Sequence, residues 1–299
     1  MGVTKTTLLK GAPVAAVIMN DVKNRVLALN KTGVEKIGCS IICFGEKKDD
    51  LAYIGSIRKK AEEVGIAVKT FILDECCYQK DAEQLVKSLS SDIYSEELLT
   101  HGILILRPVP SHIDEEKLFS KLVADKDIDG VTIKSKAFLY SGSNEGFLPC
   151  TAQACMELLH YYNIGIEGKN AVIIGRSEVI GKPISMLLLK ENATVTICHS
   201  KTKDIEKISR NADILVCALG RGEAITREYM SEKQVILDVG INFNAEGKMV
   251  GDVKYSDAEG FVGAITPVPG GVGSITTACL LSQVVKACEE VQKRKKQGL

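Results

Sequence analysis

The chain reads as a two-domain α/β protein whose second domain carries a parallel, nucleotide-binding sheet. Three observations predict this. Short β-branched runs alternate with helix-period segments through most of the sequence, the pattern of βαβ units. The 299 residues, with 45% of them apolar, are enough for two ordinary cores at roughly 150 residues per domain. In the second half, short apolar runs at 171–174, 194–198, 214–218 and 235–239 recur about every twenty residues, a spacing that suits a nucleotide-binding fold.

The elements follow in order. Val14, Val17, Ile18, Val22, Val26 and Leu29 share roughly one face of a helix over 14–31, which should cover a sheet. Strands are predicted at 39–44, 67–73 and 102–106, with helices at 50–64, 81–89 and 114–123, making one lobe. The glycine- and serine-bearing stretch 140–147 is the expected linker. After Pro149, Thr151 is a candidate N-cap for the next helix, so the boundary falls near Cys150. The final helix-patterned segment, 275–293, ends in lysine and arginine, where a helix dipole favours positive charge, and is expected to pack on the first lobe. The domains are therefore 1–149 with 275–299, and 150–274.

Composition excludes several classes. The 38 basic and 38 acidic side chains cancel, so no net positive field draws nucleic acid or an anionic membrane. No apolar stretch approaches the eighteen or so residues of a membrane span, and the first dozen residues hold no hydrophobic signal core, which reads as soluble and cytoplasmic. Ten cysteines without a secretion signal imply reduced thiols; lacking Cys-x-x-Cys and with four scattered histidines, they form no metal set. Cys150 and Cys155 read as small buried apolar residues. Glu46-Lys-Lys-Asp-Asp50 reads as a solvated loop, with Lys47 or Lys48 reaching a cleft as the alternative.

The sharpest local signal is Ala171-Val-Ile-Ile-Gly-Arg-Ser-Glu-Val-Ile-Gly-Lys-Pro183, a buried strand running into glycine and then a helix start. Such a turn lets backbone N–H groups and a helix N-terminus face a pyrophosphate. It is not a full G-x-G-x-x-G, since Ser177 replaces the second glycine and Gly181 falls one residue late; spacing alone leaves dinucleotide binding and a structural tight turn equally open. The following strand ends in His199-Ser-Lys-Thr202 and not in the acid that holds an NAD ribose, while Arg176 and Ser200 offer a cation and a hydroxyl. That favours NADP over NAD, the alternative being that Arg176 is a solvated surface charge. Near the C-terminus, Thr266-Pro-Val-Pro-Gly-Gly-Val-Gly273 combines stiffening prolines with glycines that permit close backbone approach to a ligand.

Together with Pro149-Cys-Thr151, Ala193-Thr-Val-Thr-Ile-Cys-His-Ser200, Asp238-Val-Gly-Ile-Asn242, Val250-Gly-Asp-Val253, Gly102-Ile-Leu104, Pro108-Val-Pro110 and Asp127-Ile-Asp-Gly130, these motifs resemble the methylenetetrahydrofolate dehydrogenase/cyclohydrolase family of the FolD type, in the family's order and over nearly the whole chain. The resemblance implies two α/β domains around a cleft, a Rossmann-like NAD(P)-binding second domain, tetrahydrofolate derivatives in the cleft and a homodimer. It implies that Asp129 accepts paired N–H donors from the pterin and that Tyr53 lines the folate site. Leu106, Pro269, Gly270 and Gly273 are the further substrate-binding positions. Gly175, Arg176, Ser177, Ser200 and Ile241 are the cofactor positions. Taken alone, Asp129 would read as a turn aspartate before glycine.

Two departures matter. The family carries a lysine four residues after its tyrosine, where this chain has Ile57, and a glutamine where this chain has Leu106. Arg58 and Lys59 lie about 100° and 200° round the helix and do not replace the lysine. Oxidation of the methylene group needs positioning more than acid–base help. Ring opening needs proton transfer, which isoleucine cannot supply. The expectation is therefore NADP-dependent oxidation of methylenetetrahydrofolate with weak or absent cyclohydrolase activity. The alternatives are a bifunctional enzyme with another proton-transfer group, and a non-catalytic folate- and nucleotide-binding protein. Ile57→Lys, best combined with Leu106→Gln, is expected to restore hydrolysis.

Overall fold

The computed structural model describes residues 5–91 and 100–298. The chain forms two compact units, one made of the residues through Ala15 with Thr151–Thr276, the other of Ala16–Cys150 with the residues from Thr277 on.

The Ala16–Cys150 unit is organised on three parallel strands in the order Ile66–Leu73, Ile37–Phe44, Gly102–Ile105. All eight residues of the central strand are buried, as befits a parallel strand covered on both faces. The helices Lys48–Glu63 and Gln79–Ser91 turn Ile54, Ile57 and Ala61, and Ala82, Val86 and Leu89, inward at helical spacing. Ile42, Phe44, Ile103 and Ile105 pack with Val86, Leu118 and Phe119 in one core. The chain order changes direction between Ile37–Phe44 and Gly102–Ile105, so the carboxyl ends of those strands form this unit's natural ligand crevice.

Two expected elements differ here. The helix predicted at 114–123 is only Glu115–Phe119, capped by Asp114, which accepts from Lys117 N at 3.1 Å. Tight turns at Lys121 and Leu122 follow it. The expected linker 140–147 begins inside the helix Ile133–Ser141, whose ends are set by the Thr132 hydroxyl, accepting from Ser135 N at 3.2 Å, and by Gly142 at φ +70°.

The other unit carries a six-stranded sheet, parallel throughout, in the order Thr7–Leu8, Ala264–Ile265, Val235–Asp238, Ile214–Cys217, Asn170–Ile174, Thr194–Cys198. Its core joins Val172, Ile174, Leu215, Cys217, Ile236 and Ile265. The short antiparallel pair Asn242–Phe243 and Met249–Val250 is separate from this sheet. The N-terminal residues differ from the sequence division, which put them in the first lobe. Thr7 and Leu8 instead pair with Ala264 and Ile265, and Gly11 N donates to Gly270 O at 2.8 Å. A strand of two residues carries no periodicity by which a sequence could assign it to either sheet.

Candidate active site

In the six-stranded sheet the strand order reverses between Asn170–Ile174 and Ile214–Cys217, which places the binding crevice at their carboxyl ends. The ladder continues one residue beyond each strand: Gly175 N donates to Cys198 O, Ala218 N to Ile174 O and Val239 N to Cys217 O, each at 2.9 Å. Gly175, Ala218 and Val239 therefore stand along one edge. Gly175 has φ +134°, and a Cβ there would lie 2.2 Å from Ala218 O, so only glycine lets the chain leave the strand this way. Arg176 and Ser177 are exposed just beyond it.

Ser177 stabilises its own turn. Its Oγ accepts from Ile180 N at 3.1 Å and Gly181 N at 3.4 Å, and its carbonyl accepts from Lys182 N at 3.0 Å. The N–H groups of Ile180, Gly181 and Lys182 are thus engaged within the turn that starts the helix Gly181–Lys190. On the neighbouring strand, the 199–202 turn is closed by Thr202 N on His199 O at 2.8 Å and His199 N on Thr202 Oγ1 at 2.9 Å, which leaves Ser200 exposed at its tip.

Along the same edge, a cleft of about 260 Å³ is lined by residues of 238–241 and 267–274. It brings Ile241, a predicted cofactor position, together with Pro269, Gly270 and Gly273, predicted substrate positions. The glycine loop is held from within: Gly271 leaves only 2.5 Å between a would-be Cβ and Pro267 O, and Gly270 has φ +101°.

Beneath this edge lies a pair of buried aspartates whose role the sequence reading missed. Asp238 accepts from Asp252 N at 2.9 Å and Val253 N at 3.0 Å. Asp252 in turn accepts from Leu219 N, Gly220 N and Arg221 N at 2.6, 3.1 and 2.8 Å, and from Asn242 Nδ2 at 3.0 Å. Burial pushes the Asp238 carboxyl up to about 7, against the opposing pull of the Val253 and Asp252 N–H groups. Gly240 and Gly251 are required because a Cβ on either would strike the opposite carboxylate. The signal was present as Asp-Val-Gly-Ile-Asn and Val-Gly-Asp-Val, but only the fold reveals that the two stretches exchange carboxylates.

In the three-stranded unit, Asp127 forms a parallel bridge with Ile103, so Asp129 stands two residues further toward the carboxyl edge. Asp127 is completely buried and structural, accepting from Val131 N, Thr132 N, Thr132 Oγ1 and Ser135 Oγ at 2.6 to 2.9 Å. Asp129 is half-buried, and its Oδ1 accepts from Cys150 N at 3.0 Å, the first residue of the helix Cys150–Tyr161. Burial pushes the Asp129 carboxyl up, while the Cys150 N–H pulls it down.

Leu106 follows the strand Gly102–Ile105, donating from its N–H to Ile42 O at 2.9 Å, and is buried. Tyr53 lies in the second turn of the helix Lys48–Glu63 and is 36% exposed. Ile57, four residues on, is 0% exposed and lies with Ile54 and Ala61 on the core face. At 1.5 Å per residue, Tyr53 stands roughly 8 Å and Ile57 roughly 14 Å from the helix start. Lys47 is paired with Glu75 at 3.5 Å. Among the described residues, no group of three or more His, Cys, Asp or Glu is arranged to hold a metal ion, and no helix is long and apolar enough to cross a membrane.

A parallel sheet reversing its order beside a glycine turn defines a Rossmann-like, doubly wound dinucleotide-binding unit, here joined in one chain to a second α/β unit. The chain belongs to the tetrahydrofolate dehydrogenase/cyclohydrolase family: the model of the family's catalytic domain matches residues 9–129 and that of its NAD(P)-binding domain residues 149–292. It is 44% identical over 286 residues to the bifunctional protein FolD of Carboxydothermus hydrogenoformans, covering 94% of this chain and 96% of that protein. It is 43% identical over 285 residues to a bifunctional protein FolD of Clostridium botulinum, covering 95% and 99%. Among solved structures it is similar to the bifunctional FolD enzyme of Campylobacter jejuni, with TM-score 0.90 and 36% identity over 95% of this chain and 99% of that one. It is also similar to the Trypanosoma brucei methylenetetrahydrofolate dehydrogenase-cyclohydrolase complexed with NADP and an inhibitor, with TM-score 0.88 and 32% identity over 96% and 98%.

Proposed function

We propose that this chain is a bifunctional enzyme of one-carbon metabolism, oxidising 5,10-methylenetetrahydrofolate to the methenyl form with NADP and then hydrolysing the methenyl ring. The observation that carries the reading is Asp129: a carboxylate set at a crevice edge and oriented by a helix-terminal N–H is suited to accept the paired N–H donors of a pterin. Tyr53 and Leu106 line the folate position in the same unit; in the other unit, Pro269, Gly270 and Gly273 border one cleft with Ile241 and are its substrate positions. The residues along the six-stranded sheet's edge fit a dinucleotide: Gly175, at φ +134°, turns the chain away at the strand end, Arg176 and Ser200 receive a ribose 2′-phosphate, and Ser177 and Ile241 border it. When bound, NADP supplies the hydride acceptor.

In the first reaction the methylene carbon loses a hydride as a folate nitrogen lone pair delocalises into the vacated orbital, so the protein's task is orientation. In the second, water adds to the methenyl carbon, a proton leaves, and one C–N bond opens. The names of the relatives favour this bifunctional reading, which requires a group other than residue 57 to move the proton. A second reading, dehydrogenase with weak or absent cyclohydrolase activity, is favoured by Ile57 and Leu106, both apolar and buried and so unable to move a proton. Separate assays of NADP reduction and of methenyl hydrolysis decide between them. Hydrolysis at a rate comparable to oxidation supports the first, and its absence supports the second. Lack of both activities despite folate binding defeats both. A homodimer and a cytoplasmic location belong to the same proposal, and sedimentation tests the former.

A further inference from the structure

Gln283, on the helix Thr276–Gln297, is 4% exposed, and both ends of its amide are engaged. Nε2 donates to Ile128 O at 2.7 Å and Leu148 O at 2.8 Å and lies 3.3 Å from Cys150 Sγ. Oε1 accepts from Leu148 N at 2.8 Å. These partners belong to two backbone segments. The carbonyl of Ile128 is part of the peptide that leads into Asp129. Leu148 lies two residues before the Cys150 N–H that binds Asp129 Oδ1.

The two segments meet backbone to backbone. A Cβ on Gly130 would lie 2.8 Å from Phe147 O, Leu148 C and Pro149 N. Buried carbonyls need donors, and a long side-chain amide arriving from another helix satisfies both at once. Asp127 already fixes the 131–135 side of this loop. Gln283 fixes the side on which Asp129 sits.

We propose that Gln283 is a positioning residue for Asp129, holding both the backbone that carries the carboxylate and the N–H that orients it. The inference rests on the reading of Asp129 as the pterin-binding carboxylate.

Gln283→Leu, similar in size, removes every donor. It is expected to raise the KM for methylenetetrahydrofolate about tenfold, the equivalent of one lost hydrogen bond, with kcat and NADP affinity within about twofold. Amide exchange at Gly130 and Cys150 should speed about tenfold in the same variant. On an Asp129→Ala background the change should add less than about twofold to KM, because the group being positioned is gone. A full tenfold rise on that background, or unchanged exchange at Gly130 and Cys150 in the folded variant, overturns the proposal. If Gln283→Leu does not fold, Gln283→Glu keeps the acceptor for Leu148 N and should show the same KM-selective loss. Unchanged KM and exchange there overturn it equally. An unaltered chain without dehydrogenase activity defeats the functional reading alone, and the exchange measurement still decides the positioning role.

Discussion

Replacing Asp129 with alanine removes a charge-assisted pair of acceptors, worth roughly 1.5 to 3 kcal/mol per bond. Folate affinity should fall at least about tenfold by that measure while NADP affinity holds; equal loss of both in a binding titration would refute the pterin role. Arg176→Ala should reduce the preference for NADP over NAD and spare NAD turnover, because a guanidinium rewards a 2′-phosphate only. NAD preference in the unaltered protein would sink that assignment. Ile57→Lys now has two expected effects. Under the dehydrogenase-only reading it is expected to raise methenyl hydrolysis, and because the side chain is fully enclosed, an amine there should also destabilise the protein by at least about 2 kcal/mol, visible as a lowered Tm. An unchanged Tm would mean that position 57 reaches solvent. His101 supplies a pH test. It is buried, its Nδ1 accepts from Gly38 N at 3.1 Å, and burial, with Lys126 and Lys295 nearby, lowers its pKa to about 4. From the ordinary value near 6.5 down to about 4 the unfolded chain binds the extra proton, so stability falls as pH falls, by up to about 3 kcal/mol. Asp238, raised to about 7, acts oppositely: its contribution is present at low pH and lost as pH rises toward 7. Comparison with His101→Asn, which keeps an acceptor but does not titrate, isolates the histidine, and parallel stability curves between pH 7 and 4 would reject its role.

At the scale of the element, each strand end in the six-stranded sheet is tied to its neighbour by one hydrogen bond beyond the strand, and Gly175 is where that edge turns away. Gly175→Ala places a methyl 2.2 Å from Ala218 O at a φ that L-residues rarely adopt. A loss of about 2 kcal/mol or more and weaker NADP binding are expected; a variant matching the parent in both Tm and titration would show the turn to be adaptable. The helix Lys48–Glu63 shows how one element divides its duties: its first turns bring Tyr53 to the crevice end, and Ile54, Ile57 and Ala61 pin it to the sheet. The aspartate exchange between 238 and 252 organises three loops mainly through backbone N–H groups, with Asn242 Nδ2 a side-chain donor to Asp252 and Gly240 and Gly251 leaving room for the carboxylates.

For the molecule as a whole, two sheets with separate cores mean that damage should stay local. Hydrogen exchange of Gly175→Ala is expected to lose protection in 151–276 and retain it in the strands Ile37–Phe44 and Gly102–Ile105. Uniform loss across both sheets would show that the units unfold as one.

The parallel α/β class and seven of the strands were legible in the sequence, because runs such as Ile214–Cys217 and Ile37–Phe44 are buried on both faces and so are apolar throughout. The turn at Gly175 was legible as a strand-to-helix turn, and the chain leaves the strand there at φ +134°, whereas Asp129 stood out only through the order of the surrounding motifs. The helix Ile133–Ser141 could have been found from Thr132 and Gly142, its two caps. Tertiary structure alone decided that residues 7–8 extend the six-stranded sheet, that Asp238 and Asp252 serve each other's loops, and that Gln283 holds the backbone on either side of Asp129. Those are contacts between segments far apart in the chain. Local periodicity reports which face of an element is buried, but it holds no information about which distant backbone group a buried polar atom will meet.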